Sequence, residues 1–318
     1  MKLKKILLIA LTGFLLAGCI PGFDGSKVVT EDTDPVESIA GEPFSIKKDR
    51  VLVNWKGIKV TTLGYDETDT HEWHEVDFSK VYQGFKVKIE NKSKYDIRVE
   101  PSSISINGYT VNDFLKDSAS TYVSSGEEGS AKVMAFLEEE LEDIGILNVG
   151  RIGVVFNIYN AKTSELLHRS ETLFIRTSDY EKMDAEAAFE SQEVYDESNV
   201  AIGAAMVTYH TSFLYTVVEN KTDQELIGEV KNITLIDQKG KEVPVPDDRY
   251  QFLIAPKSKA IISHVIDYSD GVRFTVELTD RETNEKILST DELFIDLHVD
   301  GSQMWQDIEA EKAALYEK

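Results

Sequence analysis

Cysteine is almost missing from this chain, since Cys19 is the only one among 318 residues. One cysteine cannot close an internal disulfide, so the fold must be stable through the packing of apolar side chains alone. Histidine is scarce too, with six residues, and there is no Gly-x-Ser-x-Gly segment and no glycine-rich phosphate-binding loop. A glycosidase-type carboxylate pair stays open because acids are so numerous, but nothing singles one out. We therefore expect a protein that is not an enzyme and carries no cofactor.

Basic residues are also few, with 34 Lys and Arg against 57 Asp and Glu and a formal charge of −23. Residues 1–18 contain three of the lysines and no acid, so the rest of the chain carries −26. A field of this sign repels nucleic acid and anionic lipid headgroups. We expect no nucleic-acid partner. With 42% apolar residues the chain is still typical of a globular protein.

Long apolar runs are absent as well. The run from Ile6 to Leu16 is shorter than the roughly 20 residues that cross a bilayer as a helix, and it follows a short basic segment. The sequence LAGC at 16–19 completes the pattern of a bacterial lipobox. We therefore predict a signal peptide at 1–18, cleavage before Cys19, and a diacylglycerol group on Cys19 that anchors the protein outside the cell membrane. Residues 19–45, rich in Gly, Pro, Ser and acids, are expected to be a flexible tether.

An internal repeat organises the remaining chain. The segment GFKVKIENKS at 84–93 aligns without gaps on FLYTVVENKT at 213–222, an offset of 129. Further along, TSE and LFI at 163–165 and 173–175 align on TNE and LFI at an offset of 120. Two ungapped blocks in the same order indicate duplication.

Within each copy the apolar residues recur with a period of two, as in Phe85, Val87 and Ile89, which indicates strands with one buried face. Turn signals every 8–12 residues predict a mainly β fold of two immunoglobulin-like antiparallel sandwich domains in tandem. We place the domains at 46–177 and 199–300, with an acidic linker at 178–198. A short helix is expected in the first domain near Leu141, and an amphipathic helix over 301–318.

The motifs IENKS at 89–93 and SINGY at 105–109 carry a resemblance. The chain resembles the two-repeat, immunoglobulin-like lipoproteins of unknown function found in low-GC Gram-positive bacteria, over most of residues 50–298. The second copy departs from this pattern, with IDQKG at 236–240 and no helix. Since these motifs are structural, the resemblance implies a fold and carries over no functional residue.

One segment could bind a metal. Residues 66–75, DETDTHEWHE, hold His71 and His74 among five carboxylates. A zincin needs His-Glu-x-x-His on a helix, and here the second histidine comes one residue early. A loop site for Zn²⁺ made of His71, His74 and a carboxylate is the alternative to a solvated loop, and we assign no metal ligand.

The two copies differ on one strand face. Three positions that are Gly84, Lys86 and Lys88 in the first copy become Phe213, Tyr215 and Val217 in the second, so that strand is apolar on both faces. Such a strip is normally covered. The C-terminal helix has a stripe that could cover it, formed by Met304, Trp305, Ile308, Leu315 and Tyr316. We predict that the two dock together, with Met183 and Phe189 as the alternative cover. If both stay exposed they form a partner-binding surface.

These features predict a lipid-anchored extracytoplasmic lipoprotein with a non-catalytic role in contact with an envelope protein or wall component. The alternative is a metal- or solute-binding lipoprotein that uses the His71 and His74 loop. Solute-binding lobes usually alternate strands and helices, a pattern this sequence does not have.

Overall fold

A computed structural model of the chain describes residues 34–68, 82–111, 120–134, 139–246 and 251–316. It is mainly β, with antiparallel sheets and a C-terminal helix, as predicted. Strands β1–β10 and the one-turn helix α1 form what we call the first unit. Their bounds are β1 Val51–Trp55, β2 Ile58–Thr68, β3 Tyr82–Asn91, β4 Ile97–Ile106, β5 Tyr109–Thr110, β6 Thr121–Val123, β7 Glu128–Met134, α1 Glu139–Glu142, β8 Arg151–Asn160, β9 Leu166–Arg169 and β10 Leu173–Arg176.

Strands β11–β20 form the second unit, and β21 and the helix α2 follow it. Their bounds are β11 Gln192–Asp196, β12 Val200–Thr208, β13 Ser212–Asn220, β14 Leu226–Ile236, β15 Glu242–Pro244, β16 Gln251–Ile254, β17 Ser258–Ile266, β18 Gly271–Asp280, β19 Lys286–Ser289, β20 Leu293–Ile295, β21 His298–Asp300 and α2 Gly301–Tyr316. The segment expected to be a linker, 178–198, thus contains a 3-10 turn at Tyr180–Lys182 and all of β11, which pairs with β12.

The same strand order occurs twice. In the first unit a sheet of order β1-β2-β3-β7 faces strands β10-β8-β4-β5, with β6 on β4 and β9 on β8. In the second unit β11-β12-β13-β17 corresponds to the first of these sheets. Strands β14 and β18 pair with each other and with β15, β16, β19 and β20, as β4 and β8 do with their own neighbours.

Equivalent turns support this correspondence. Asn91 ends β3 and Asn220 ends β13, and each side chain donates from Nδ2 to the carbonyl oxygen four residues on, at 2.8 and 2.7 Å. Each Oδ1 accepts from the backbone N–H and the hydroxyl two residues on. Ser103 and Asn232, also 129 positions apart, both have a positive φ at a bulge in β4 and β14.

Period-two burial builds two cores. The first core includes Phe85, Val87 and Ile89 from β3 and the apolar row of β8, while the second includes Leu214, Val218 and the apolar rows of β14 and β18. Ile89 and Val218, aligned by the repeat, are both fully buried. The alternation that predicted the strand faces therefore holds in both units.

The two units do not stand apart, because one sheet runs through both. Strand β5 of the first unit pairs in parallel with β17 of the second at Tyr109 and Lys259. This contact joins β10-β8-β4-β5 to β17-β13-β12-β11 in a sheet of eleven strands. The first core also takes in Ala205 and Val207 of β12. We call this shared region the junction.

Candidate functional site

The apolar strip of β13 lies inside the junction. Leu214 and Val218 point into the second core, and Tyr215, on the opposite face, belongs to the first core and is 8% exposed. Phe213 and Val217 are partly buried against the same core. The strand register predicted from sequence is therefore the one found, and the strip is covered within the chain.

Two segments lie at or beside the strip. The Phe189 ring, from the segment before β11, lies 5.2 Å from the Tyr215 ring. Helix α2 contributes Met304 and Ile308 to the first core, while Trp305 is partly buried against it. Phe189 of the alternative cover therefore contacts the strip directly, whereas α2 contacts the neighbouring strand β12, and Met183 lies beside Gly150. Leu315, in the last turn of α2, is not part of this contact and is 41% exposed.

A buried carboxylate reinforces the junction. Glu225, just before β14 of the second unit, is 7% exposed and accepts a 2.6 Å hydrogen bond from the Ser103 hydroxyl of the first unit. Arg281 donates to the same carboxylate at 3.1 Å, and Arg169 lies 3.9 Å from it. Removing one partner of a buried charge of this kind strongly destabilises the folded protein.

A cleft of about 460 Å³ opens at the loop end of the first unit. Its walls come from the β1–β2 hairpin, from the Asn91 turn between β3 and β4, and from the start of β9. The lining residues are Trp55, Lys56, Ser93, Lys94, Tyr95, Glu165, Leu166 and Leu167. The volume lies within the usual range for small-molecule sites.

The cleft is built on rigid turns. The Asn91 side chain holds Ser93 through the hydroxyl and the backbone N–H, at 2.7 and 3.1 Å. The Trp55 ring is stacked on the imidazole of His168, with centroids 4.9 Å apart and an interplanar angle of 7°. Burial, and to a smaller degree the Lys56 ammonium, lowers the pKa of His168, so at neutral pH the tryptophan rests on an uncharged ring.

The charges of the cleft are unlike those of the whole chain. Lys56 and Lys94 are exposed, and each ammonium lies 5.0 Å from an aromatic centroid, over Trp55 and Tyr95 respectively. Glu165 is the one carboxylate in the lining. The lining therefore carries a formal charge of +1 in a chain of −23.

The second unit keeps the turns, and Glu285 at the position of Glu165, but not the aromatic rings or the lysines of the cleft. Backbone bonds from Lys92 to Gly57 and from Lys221 to Asn199 match the two hairpins, which places Glu197 at the position of Trp55. At the other equivalent positions, Lys56, Lys94, Tyr95, Leu166 and His168 are replaced by Ser198, Asp223, Gln224, Lys286 and Leu288. Because the scaffold is retained, these side chains are not needed to form the turns.

No pattern in the sequence marks this cleft. Trp55 and His168 are distant in sequence and meet only when β9 pairs beside β8 at the end of the sheet. The signal that could have found them is the difference between aligned copies at Lys94 and Tyr95, inside a motif that otherwise repeats.

The other predicted sites lie beyond what the structure describes. Cys19, His71 and His74 fall outside the described residues. Within the described ranges no three His, Cys, Asp or Glu side chains are grouped as metal ligands. No helix in those ranges has the length and apolar character that crossing a membrane requires.

Comparisons with known proteins give no family. No protein-family profile and no curated protein matches the chain. Solved structures with some likeness include the chicken interferon gamma receptor alpha chain, at 10% identity over 68% of this chain and 93% of that one, with a TM-score of 0.19. Red sea bream transglutaminase (8%, 68% and 29%, TM-score 0.20) and Bacteroides uniformis beta-glucuronidase (12%, 73% and 28%, TM-score 0.20) are others. This chain spans less than a third of the last two, and TM-scores this low identify neither a shared fold nor a function.

Proposed function

We propose that this protein is a non-catalytic lipoprotein, held outside the cell membrane by lipid on Cys19, that binds a component of the cell envelope through the cleft of its first unit. The observation that carries the proposal is the cleft itself. Two aromatic rings, two lysines and one carboxylate line it, on a scaffold that is repeated in the second unit without the rings and the lysines, while Glu285 keeps the position of Glu165. A concave site with a few convergent polar groups is the usual form of a ligand site.

In this proposal the two units are immunoglobulin-like sandwich domains in tandem that arose by duplication. The matching strand orders, the matching turns at Asn91 and Asn220, and the matching bulges at Ser103 and Asn232 support it. The sequence resemblance to two-repeat lipoproteins points the same way.

The anchor is supported by the lipobox sequence at 16–19. Replacing the acceptor, Cys19→Ser, should leave the precursor uncleaved or release the protein into the medium, because the thiol that receives the lipid is gone. Fractionation of producing cells into membrane and medium, with immunoblotting, measures this. A mutant that is processed and stays in the membrane fraction like the wild type would contradict the lipid anchor.

Binding through the cleft can be tested without the lipid. Residues 20–318 should co-sediment with insoluble envelope material from producing cells. Leu166→Trp should abolish this, because Leu166 is 37% exposed in the cleft wall and the larger ring would fill the space. The matched control is Val243→Trp, at a 41% exposed strand position of the second unit. If the wild type stays in the supernatant, or if Leu166→Trp sediments as well as the control, the cleft is not the binding site.

A further inference from the structure

The cleft combines three kinds of contact that together define a ligand class. Trp55 and Tyr95 line the cleft with aromatic rings, and Leu166 and Leu167 add apolar surface. Lys56 and Lys94 offer point positive charges, which in proteins bind phosphate or carboxylate. Glu165 offers two carboxylate oxygens that can accept hydrogen bonds. A ligand that satisfies all three has an apolar ring face, one anionic group and hydroxyl donors.

Lys56 and Lys94 are available to bind an anion. Neither Lys56 nor Lys94 forms an ion pair with a carboxylate among the residues that the structure describes, whereas the nearby Lys162 pairs with Asp96 at 3.0 Å. Each ammonium instead lies over an aromatic ring, an interaction worth only about 0.5–1 kcal/mol at an exposed site. An incoming anion can therefore be bound with little loss, by groups already held at the cleft.

Glu165 and the total charge exclude dense polyanions. A chain of phosphates would meet the Glu165 carboxylate inside the cleft and a protein of −23 around it. A single anionic group is repelled much less by the net charge of the protein, because at physiological salt charges beyond about 8 Å are screened. The carboxylate then becomes useful, since it can accept hydrogen bonds from sugar hydroxyls.

We infer that the cleft binds a sugar residue that carries one carboxylate or phosphate group. The sugar ring lies against Tyr95, since Trp55 is already stacked on His168, its anionic group is bound by Lys56 and Lys94, and its hydroxyls donate to Glu165. This inference rests on the proposed function and specifies the ligand of the same cleft. The ligand has two sources with the same chemistry, a free sugar acid or sugar phosphate, and one unit of a longer glycan.

Titration calorimetry on residues 20–318 tests the inference. The probes are glucose, glucuronic acid, glucose 6-phosphate, inorganic phosphate, and a tetrasaccharide of alternating glucuronic acid and N-acetylglucosamine. At least one anionic sugar should bind at least about tenfold more tightly than both glucose and inorganic phosphate, as charge-assisted hydrogen bonds require. Binding of the tetrasaccharide with weak binding of both monosaccharides identifies a glycan as the source, and equal binding identifies the free sugar.

A pair of double variants locates the anion. Lys56→Gln with Lys94→Gln should reduce the preference for the anionic sugar to less than about threefold. Lys92→Gln with Lys162→Gln removes the same charge at neighbouring positions that are 78% and 79% exposed and do not line the cleft, and should preserve the preference. Equal affinity for glucose and every anionic sugar, or equal loss in both double variants, overturns the inference. If envelope binding still depends on Leu166 in that case, the proposed function stands without it.

Discussion

Two buried asparagines fix the turns at the ends of β3 and β13. Asn91 and Asn220 are both fully buried. Each side-chain amide donates hydrogen bonds to backbone carbonyl oxygens from two separate segments of its unit. Asparagine can accept and donate at once, whereas aspartate cannot donate when ionised. The motif E-N-K-S/T was visible in the sequence as a turn, so the position of each asparagine was predictable. The second carbonyl partner, more than 30 residues away, was not.

Asn91→Ala should destabilise the protein by about 2–3 kcal/mol, because the carbonyl oxygens of Tyr95 and Val123 lose their donor in a buried site. Urea unfolding followed by tryptophan fluorescence measures the change. The control is Asn54→Ala on the exposed side of β1, which should stay within about 0.5 kcal/mol. Similar effects for the two variants would show that the turn does not depend on the amide.

At the level of elements, the sequence predicted which face of each strand is buried, but it did not predict which distant elements contact each other. The alternation in β3 and β13 predicted which residues point inward, and the strip of Tyr215 required a cover. The sequence predicted α2 as the cover, with Met183 and Phe189 as the alternative, because a hydrophobic stripe does not show which of two candidate segments lies closer. In the structure Phe189 contacts Tyr215, and α2 lies beside it on β12 as part of the same core.

Ile308→Ala should reduce stability by about 2–4 kcal/mol, since Ile308 is 2% exposed in the first core and its loss leaves a cavity. Leu315→Ala, in the same helix at 41% exposure, should cost less than about 0.5 kcal/mol. Denaturant unfolding of both variants gives the comparison. Equal small effects would mean that α2 does not stabilise the junction.

The segment before β11 has a titratable contact with β5. The Tyr109 hydroxyl accepts a hydrogen bond from the backbone N–H of Ala187 at 3.0 Å. Burial, together with the Glu186 carboxylate, raises the pKa of Tyr109 to about 12, although the Ala187 bond opposes the shift. The folded state thus holds this proton more tightly than the unfolded chain, whose tyrosines titrate near pH 10.

The contribution of Tyr109 to stability should therefore be complete below about pH 10 and decline as the pH rises towards 12. Tyr109→Phe cannot titrate, so the stability difference between wild type and variant should fall across this window. Thermal unfolding of both proteins between pH 8 and 11.5 measures this difference. Taking the difference cancels the contribution of lysines to the pH dependence, because both proteins contain the same lysines. A constant difference would place the Tyr109 hydroxyl in water.

At the scale of the whole molecule, the sequence predicted two sandwiches in tandem, and it did not predict that the two units share a sheet and part of a core. The sheet continues from one unit to the other through β5, a strand of two residues, at the register pair Tyr109 and Lys259. So short an element has no periodicity, and for this reason no pattern in the sequence announces it. The apolar strip on β13 was the one visible trace of the join.

Such a junction should make the two units unfold together. We expect one calorimetric transition, with equal calorimetric and van't Hoff enthalpies. Glu225→Ala should lower stability by about 3–5 kcal/mol, because it leaves Arg281 and the Ser103 hydroxyl without their buried partner. Glu282→Ala, at a carboxylate that is 66% exposed and 3.8 Å from Arg169, is the control and should change little. Two resolved transitions in the wild type would show that the units are independent.

The unequal faces of β3 and β13 also determine how far the architecture can extend. The second unit joins the first through the surface of Tyr215 and Val217, and the first unit presents Lys86 and Lys88 at the corresponding positions. Lys88 pairs there with Glu90 and Glu128, so a further unit stacked by the same geometry would have to dehydrate these ion pairs without replacing them. The same face of the first unit is therefore poorly suited to receive a further unit, and we expect it not to serve for head-to-tail stacking of neighbouring copies.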